Sequence, residues 1–178
     1  GTFDSPYYYR NLKKNKNDFN RLTDLEVISK YRVEAQNNFN LENKLKFFKT
    51  HSANISFNGF DYTNNTTTKG VIYLVRDPRD IVVSYSKFIN KTYDEVIQII
   101  KKNKWVTLSD ESKYPSIQSS WDENLLSWKN LNVTKIFVKY EHLLDRPINT
   151  VNQIINFLKH NMKITFNSNN DKISNIIQ

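Results

Sequence analysis

Apolar residues are thinly spread along this chain, and the places where they gather mark its elements. Val71 to Val75 (VIYLV) is an unbroken apolar run of strand length, the pattern of a strand buried on both faces. Lys135 to Val138 (KIFV) predicts a second such strand, and Lys44 to Thr50 (KLKFFKT) a third, ending at His51. Helical periodicity appears between them. Leu22 to Phe39 spaces Leu25, Ile28, Val33 and Ala35 loosely at helical intervals. Asp77-Pro78 is a good N-cap followed by proline at the first helical position, and the helix it opens runs through Asp80 to Phe88. Thr92-Tyr93-Asp94-Glu95 reads as a capping box before a helix with Val96, Ile99 and Ile100 on one face. Ser116 to Leu131 aligns Trp121, Leu125 and Trp128, and Pro147 starts a helix carrying Val151, Ile154, Ile155 and Leu158. Ser52 to Lys69, with Gly59 and the run Asn64 to Thr68, is polar and predicts a long surface loop of the kind that often carries function. Gly1 to about Asn20 has no clear period, and Lys159 to Gln178 is polar with a helix predicted from Asp171. Strands alternating with helices predict an α/β fold, a mostly parallel sheet flanked by helices. No repeat and no linker divides residues 1–178, which read as a single domain.

Composition narrows the partners. With 178 residues the chain is long enough for one compact core, and 13% aromatic content argues for a folded domain despite the polar average. The net charge of +8 suits a nucleic acid, an anionic membrane or a phosphorylated cofactor, but a compositional bias toward Lys would produce it equally well. Nucleic-acid binding would need basic residues clustered with exposed aromatics, whereas these lysines are scattered. Cysteine is absent, which removes disulfides, thiol nucleophiles and cysteine metal sites. No apolar run approaches the roughly 20 residues that span a bilayer, and no signal segment opens the chain, so a cytoplasmic protein is expected.

Candidate chemistry concentrates between Val71 and Phe88, VIYLVRDPRDIVVSYSKF. A buried strand delivers Arg76 to its carboxyl end, where ligands sit in open α/β sheets. The helix starting at Pro78 brings unpaired N–H groups and a positive dipole end close by. Arg76 offers a fork of donors suited to phosphate, and Ser84, two turns into the helix, adds a hydroxyl. These residues describe an anion site. A surface arginine paired with Asp77 or Asp80 would fit the same spacing.

The stretch resembles the 3′-phosphate-binding segment of sulfotransferases that use 3′-phosphoadenosine 5′-phosphosulfate (PAPS), with a serine eight residues after the arginine. Two further segments agree in order. Phe47-Phe48-Lys49-Thr50-His51 is similar to the family's Lys-Thr-His strand end, and Lys139-Tyr140-Glu141-His142-Leu143-Leu144 with Pro147 to its Tyr-Glu-x-Leu segment. The likeness covers roughly Leu41 to Leu158. It implies a fold of the phosphate-loop type and transfer of a sulfuryl group from PAPS to an acceptor hydroxyl or amine on a small molecule or glycan, without a metal. By the same likeness Arg76 and Ser84 hold the 3′-phosphate, and Tyr140 lies near the adenine. His51 is the base, a role its near-neutral titration suits, and Lys49 offsets charge on the leaving phosphate oxygen. Trp121 and Trp128 read most simply as a helix's core stripe, and His142 and His160 as exposed residues. The family often carries histidine near Asn124, which leaves the role of Asn124 open.

The resemblance is incomplete. The family's glycine-containing phosphate loop and its C-terminal basic closing segment are missing, and glycines at 1, 59 and 70 cannot build them. The expectation is therefore an incomplete sulfotransferase domain that by itself binds the 3′,5′-bisphosphate weakly and transfers no sulfate. A non-catalytic homologue that binds 3′-phosphoadenosine nucleotides is the nearest alternative. The acceptor would be chosen by Ser52 to Lys69 and by the region from Lys101 to Ser116, neither of which carries a legible code.

Overall fold

The computed structural model describes Ser5, Tyr9, Leu12 and residues 24–41, 45–108 and 114–165. The helix predicted from Asp171 lies outside the described residues. Helix α1 spans Leu25–Leu41, strand β1 Gly70–Val75, helix α2 Pro78–Ile89 and helix α3 Tyr93–Ile100. Two short strands follow, β2 (Val106–Thr107) and β3 (Ser116–Ile117), then helix α4 (Trp121–Asn130) and strand β4 (Thr134–Lys139). Helix α5 (Tyr140–Asp145), helix α6 (Pro147–Asn156) and a π-helical turn (Phe157–Asn161) complete the order. The chain divides into two compact units, one made of Gly1–Thr67 with Asp94–Leu131, the other of Thr68–Tyr93 with Asn132–Gln178.

In the second unit β1 and β4 pair in parallel, with Gly70 opposite Thr134 and Val75 opposite Lys139. Successive strand residues face opposite sides. Ile72 and Ile136 accordingly pack on a buried cluster of Phe157, Leu158 and Met162, while the rings of Tyr73 and Phe137 meet at 5.3 Å. Burial pushes the Tyr73 hydroxyl up to about 12, so it stays protonated through the physiological range. Gly70 is required by close approach: a Cβ there would stand 2.6 Å from Met162 Cε and 2.9 Å from the Thr134 carbonyl. The expectation of a β1 buried on both faces does not hold among the described residues. Leu74 is 53% exposed although every residue of β1 is paired with β4, because pairing covers a strand's edge and leaves its faces to be covered by other layers.

In the first unit Ile28, Tyr31 and Ala35 of α1, Val96 of α3, Trp128 of α4, and Ala53 and Tyr62 are buried. Val96 is fully buried, as the face predicted for α3 requires. Two sequence expectations are corrected here. Residues 45–50 form no strand and contribute a single bridge position at Lys49. Ser116 and Ile117 belong to β3, paired antiparallel with β2, so α4 begins only at Trp121. Ser120 caps α4 by accepting the Glu123 N–H at 3.4 Å. Ser120-Trp121-Asp122-Glu123 is a capping box, and that signature marks the true boundary.

The polar segment from Ser52 to Lys69 is more anchored than a surface loop. Asn58 and Gly59 take φ of 49° and 81°, and Phe57 and Phe60 exchange both backbone hydrogen bonds at 2.9 and 3.0 Å. This is the tight hairpin turn that the Asn-Gly pair favours. Tyr62 and Thr63 are buried. The Gln36 side chain holds both, donating to the Tyr62 carbonyl at 2.7 Å and accepting from Thr63 Oγ1 at 2.5 Å.

Candidate functional site

The sequence-predicted residues fall on both units, Lys49 and His51 in the first and Arg76, Ser84 and Tyr140 in the second. Lys49 and His51 are exposed, with half-buried Thr50 between them. Thr50 Oγ1 lies 2.6 Å from the Tyr62 hydroxyl and accepts the Ser52 N–H at 3.0 Å. Immediately beyond, Ser52 and Ala53 are 1% exposed. The chain therefore turns from core to solvent at the residue expected to be the base.

The backbone of this segment is held largely from α4. Asn124 Nδ2 donates to the His51 carbonyl at 3.1 Å and to the Gln118 carbonyl at 2.8 Å. Trp128 Nε1 donates to the Ser52 carbonyl at 2.9 Å, and Ser127 Oγ accepts the Asn54 N–H at 2.9 Å. Ala53 N–H reaches the Ile117 carbonyl at 2.7 Å. Trp128 is core, as its spacing predicts, but its indole N–H has this second use.

In the second unit the parallel register sets the geometry. Val75 and Lys139 are partners, so the next residues, Arg76 and Tyr140, leave adjacent strands side by side. The Arg76 guanidinium carbon lies 4.7 Å from the centroid of the Tyr140 ring, a cation–π contact between two half-buried residues. Tyr140 is the first residue of α5 rather than a strand-end residue. Ser84 is exposed on α2. His160 is exposed as expected, whereas His142 is half-buried, its ring 3.0 Å from Arg146 Nη2.

Asp77 changes the expected role of the α2 N-terminus. Its side chain accepts the Arg79 N–H at 2.9 Å and binds the Arg79 guanidinium through Nε at 3.0 Å and Nη2 at 2.6 Å. Those bonds hold the Asp77 carboxyl at about 2. Pro78 has no N–H to offer, so the first-turn donors are partly spent on an internal carboxylate, which would repel an incoming anion. Anion binding at this end must rest on the Arg76 side chain more than on the helix end. The alternative pairing of Arg76 with Asp77 also loses ground, since Arg79 engages that carboxylate.

Glu141 is a residue that sequence reasoning passed over except as part of a motif. Its carboxylate accepts the Asp77 N–H at 2.9 Å and so ties the start of α5 to the turn after Arg76. That hydrogen bond, with a further one from its own backbone N–H, holds the Glu141 carboxyl below the usual carboxylate range. A group depressed in the folded state stabilises it above the unfolded pKa, and the benefit is lost as pH falls through the folded value. On acid titration the Asp77 amide resonance should therefore report Glu141 by a change below the ordinary glutamate range, beside the step of Asp77 itself at about 2. Glu141→Gln should remove that change and keep the step of Asp77. A change that survives the substitution would mean that Glu141 is not the partner.

Among the described residues no helix is long and apolar enough to cross a membrane, and no group of three or more His, Asp or Glu side chains is placed to hold a metal ion. Compared with known proteins, residues 8–178 match the family of the sulfotransferase domain. No curated protein and no solved structure gives a significant match. The α/β element order and the parallel β1–β4 pair accord with the phosphate-loop-like fold of that family.

Proposed function

The chain belongs to the sulfotransferase domain family, and we propose that it transfers a sulfuryl group from PAPS to an acceptor hydroxyl or amine. The family match supports transfer in general. The donor is favoured by one observation, Arg76 lying over the Tyr140 ring at the carboxyl ends of two parallel strands. A guanidinium beside an aromatic face combines a phosphate-binding fork with a surface on which a purine stacks. When bound, PAPS supplies an activated sulfuryl group. In this proposal Arg76 holds the 3′-phosphate with help from the Ser84 hydroxyl, and Tyr140 contributes to the adenine side. His51 takes the acceptor's proton as the new O–S or N–S bond forms, and the Lys49 ammonium offsets negative charge on the departing phosphate oxygen. Both side chains are solvent-accessible, which an incoming acceptor requires.

The test is transfer of radiolabelled sulfate from PAPS to a panel of alcohols, amines and glycans by a polypeptide that joins this chain to the family's phosphate loop and closing segment, with nucleotide binding measured in parallel by calorimetry. Label in any acceptor, lost when excess 3′,5′-bisphosphate product competes, is the expected result. Nucleotide binding with no transfer to any member of the panel would favour the non-catalytic alternative.

A further inference from the structure

We infer that Asn124 is a positioning residue for His51, its carboxamide fixing the peptide plane of the residue that carries the base. The inference rests on the proposal that His51 is that base.

The backbone from His51 to Asn54 lies in no strand ladder, and such a segment needs its polar groups satisfied elsewhere. One face of α4 does this. Asn124, Ser127 and Trp128 stand at i, i+3 and i+4, and their side chains bind in turn the His51 carbonyl, the Asn54 N–H and the Ser52 carbonyl. The helix thus takes the place a neighbouring strand would have. Within this set Asn124 alone touches His51 itself. It bonds two carbonyls with its amide nitrogen, those of His51 and Gln118, at 3.1 and 2.8 Å. Rotating the carboxamide would set its oxygen against both acceptors, so its orientation is determined.

The helix end beneath is itself fixed by the Ser120 cap and by a short Ser119–Glu123 contact. The peptide plane after a residue is set by ψ, because the peptide group is rigid. Pinning the His51 carbonyl therefore fixes the direction of its Cα–Cβ bond and the arc the imidazole can sweep. Asn124 stands where the likeness would often have histidine, and an amide nitrogen that can serve two carbonyls at once is what the site uses.

Three variants, made in the same polypeptide that carries the phosphate loop and closing segment, test this: Asn124→Asp, which keeps the shape but sets oxygen against both carbonyls, Asn124→His, which restores one N–H donor, and His51→Ala as reference. Asn124→Asp should lower kcat by about 10–100-fold, the scale of a misplacement near 1 Å. Affinity for the 3′,5′-bisphosphate should change by less than about twofold, on the scale of that kinetic loss a negligible amount. Asn124→His should recover most of kcat. A readout independent of turnover is the imidazole NMR spectrum. The His51 ring signals should shift and broaden in Asn124→Asp, while those of His142 and His160, in the other unit, stay in place. Wild-type kcat in Asn124→Asp with a dead His51→Ala would overturn the inference, as would unmoved His51 signals. A parallel loss of kcat and nucleotide affinity that Asn124→His does not rescue would do so too, because Asn124 would then serve only the fold. Wild-type kcat in His51→Ala would instead remove the base assignment itself.

Discussion

In a polypeptide that also carries the family's phosphate loop and closing segment, replacing His51 with alanine should lower turnover by about 10²–10⁴-fold, the range for losing a general base. The nucleotide should bind nearly as before. The structure explains why the two effects separate. His51 is exposed at the point where its chain leaves the core, and its backbone is held through its carbonyl by Asn124. Truncation to Cβ leaves the Asn124, Trp128 and Ser127 bonds to this segment in place. The measurement is sulfate transfer under saturating donor, beside calorimetry with the 3′,5′-bisphosphate. Undiminished turnover would remove His51 from the reaction. An equal collapse of binding would make it a structural residue.

Arg76→Ala should weaken the 3′,5′-bisphosphate by about 10- to 150-fold, corresponding to the roughly 1.5–3 kcal/mol of a hydrogen bond to a charged group. AMP, which lacks the 3′-phosphate, should lose far less. Arg76→Lys is informative because it keeps the charge but loses the fork of donors that lies over Tyr140. It should fall between wild type and alanine. Calorimetry showing the same loss for both nucleotides would place Arg76 outside the 3′-phosphate site.

Much of this was legible in the chain because the signals are local. Asp77-Pro78 announced the start of α2, and the structure has Asp77 as its N-cap with proline inside the first turn. VIYLV and KIFV marked the two strands, and the pairing of Val75 with Lys139 then follows from their parallel alignment. The motif order that resembled a sulfotransferase agrees with the family match over residues 8–178. Two local signals were present but unused, the Asn58-Gly59 turn and the Ser120–Glu123 capping box. Reading them would have closed the hairpin and moved the start of α4 to Trp121.

Other features depended on residues far apart in sequence, and no window of sequence could supply them. KLKFFKT has the apolar content of a strand, yet residues 45–50 form none, because strand formation requires a partner ladder as well as propensity. Glu141 reaches the Asp77 amide across 64 positions, and Asn124 reaches the His51 carbonyl across 73. By itself, then, the sequence determined most of the elements and the candidate residues placed on them, since capping, periodicity and motif order act over a few positions. Only the tertiary structure decided what holds those residues in place, because a hydrogen bond depends on distance in space and is indifferent to separation along the chain.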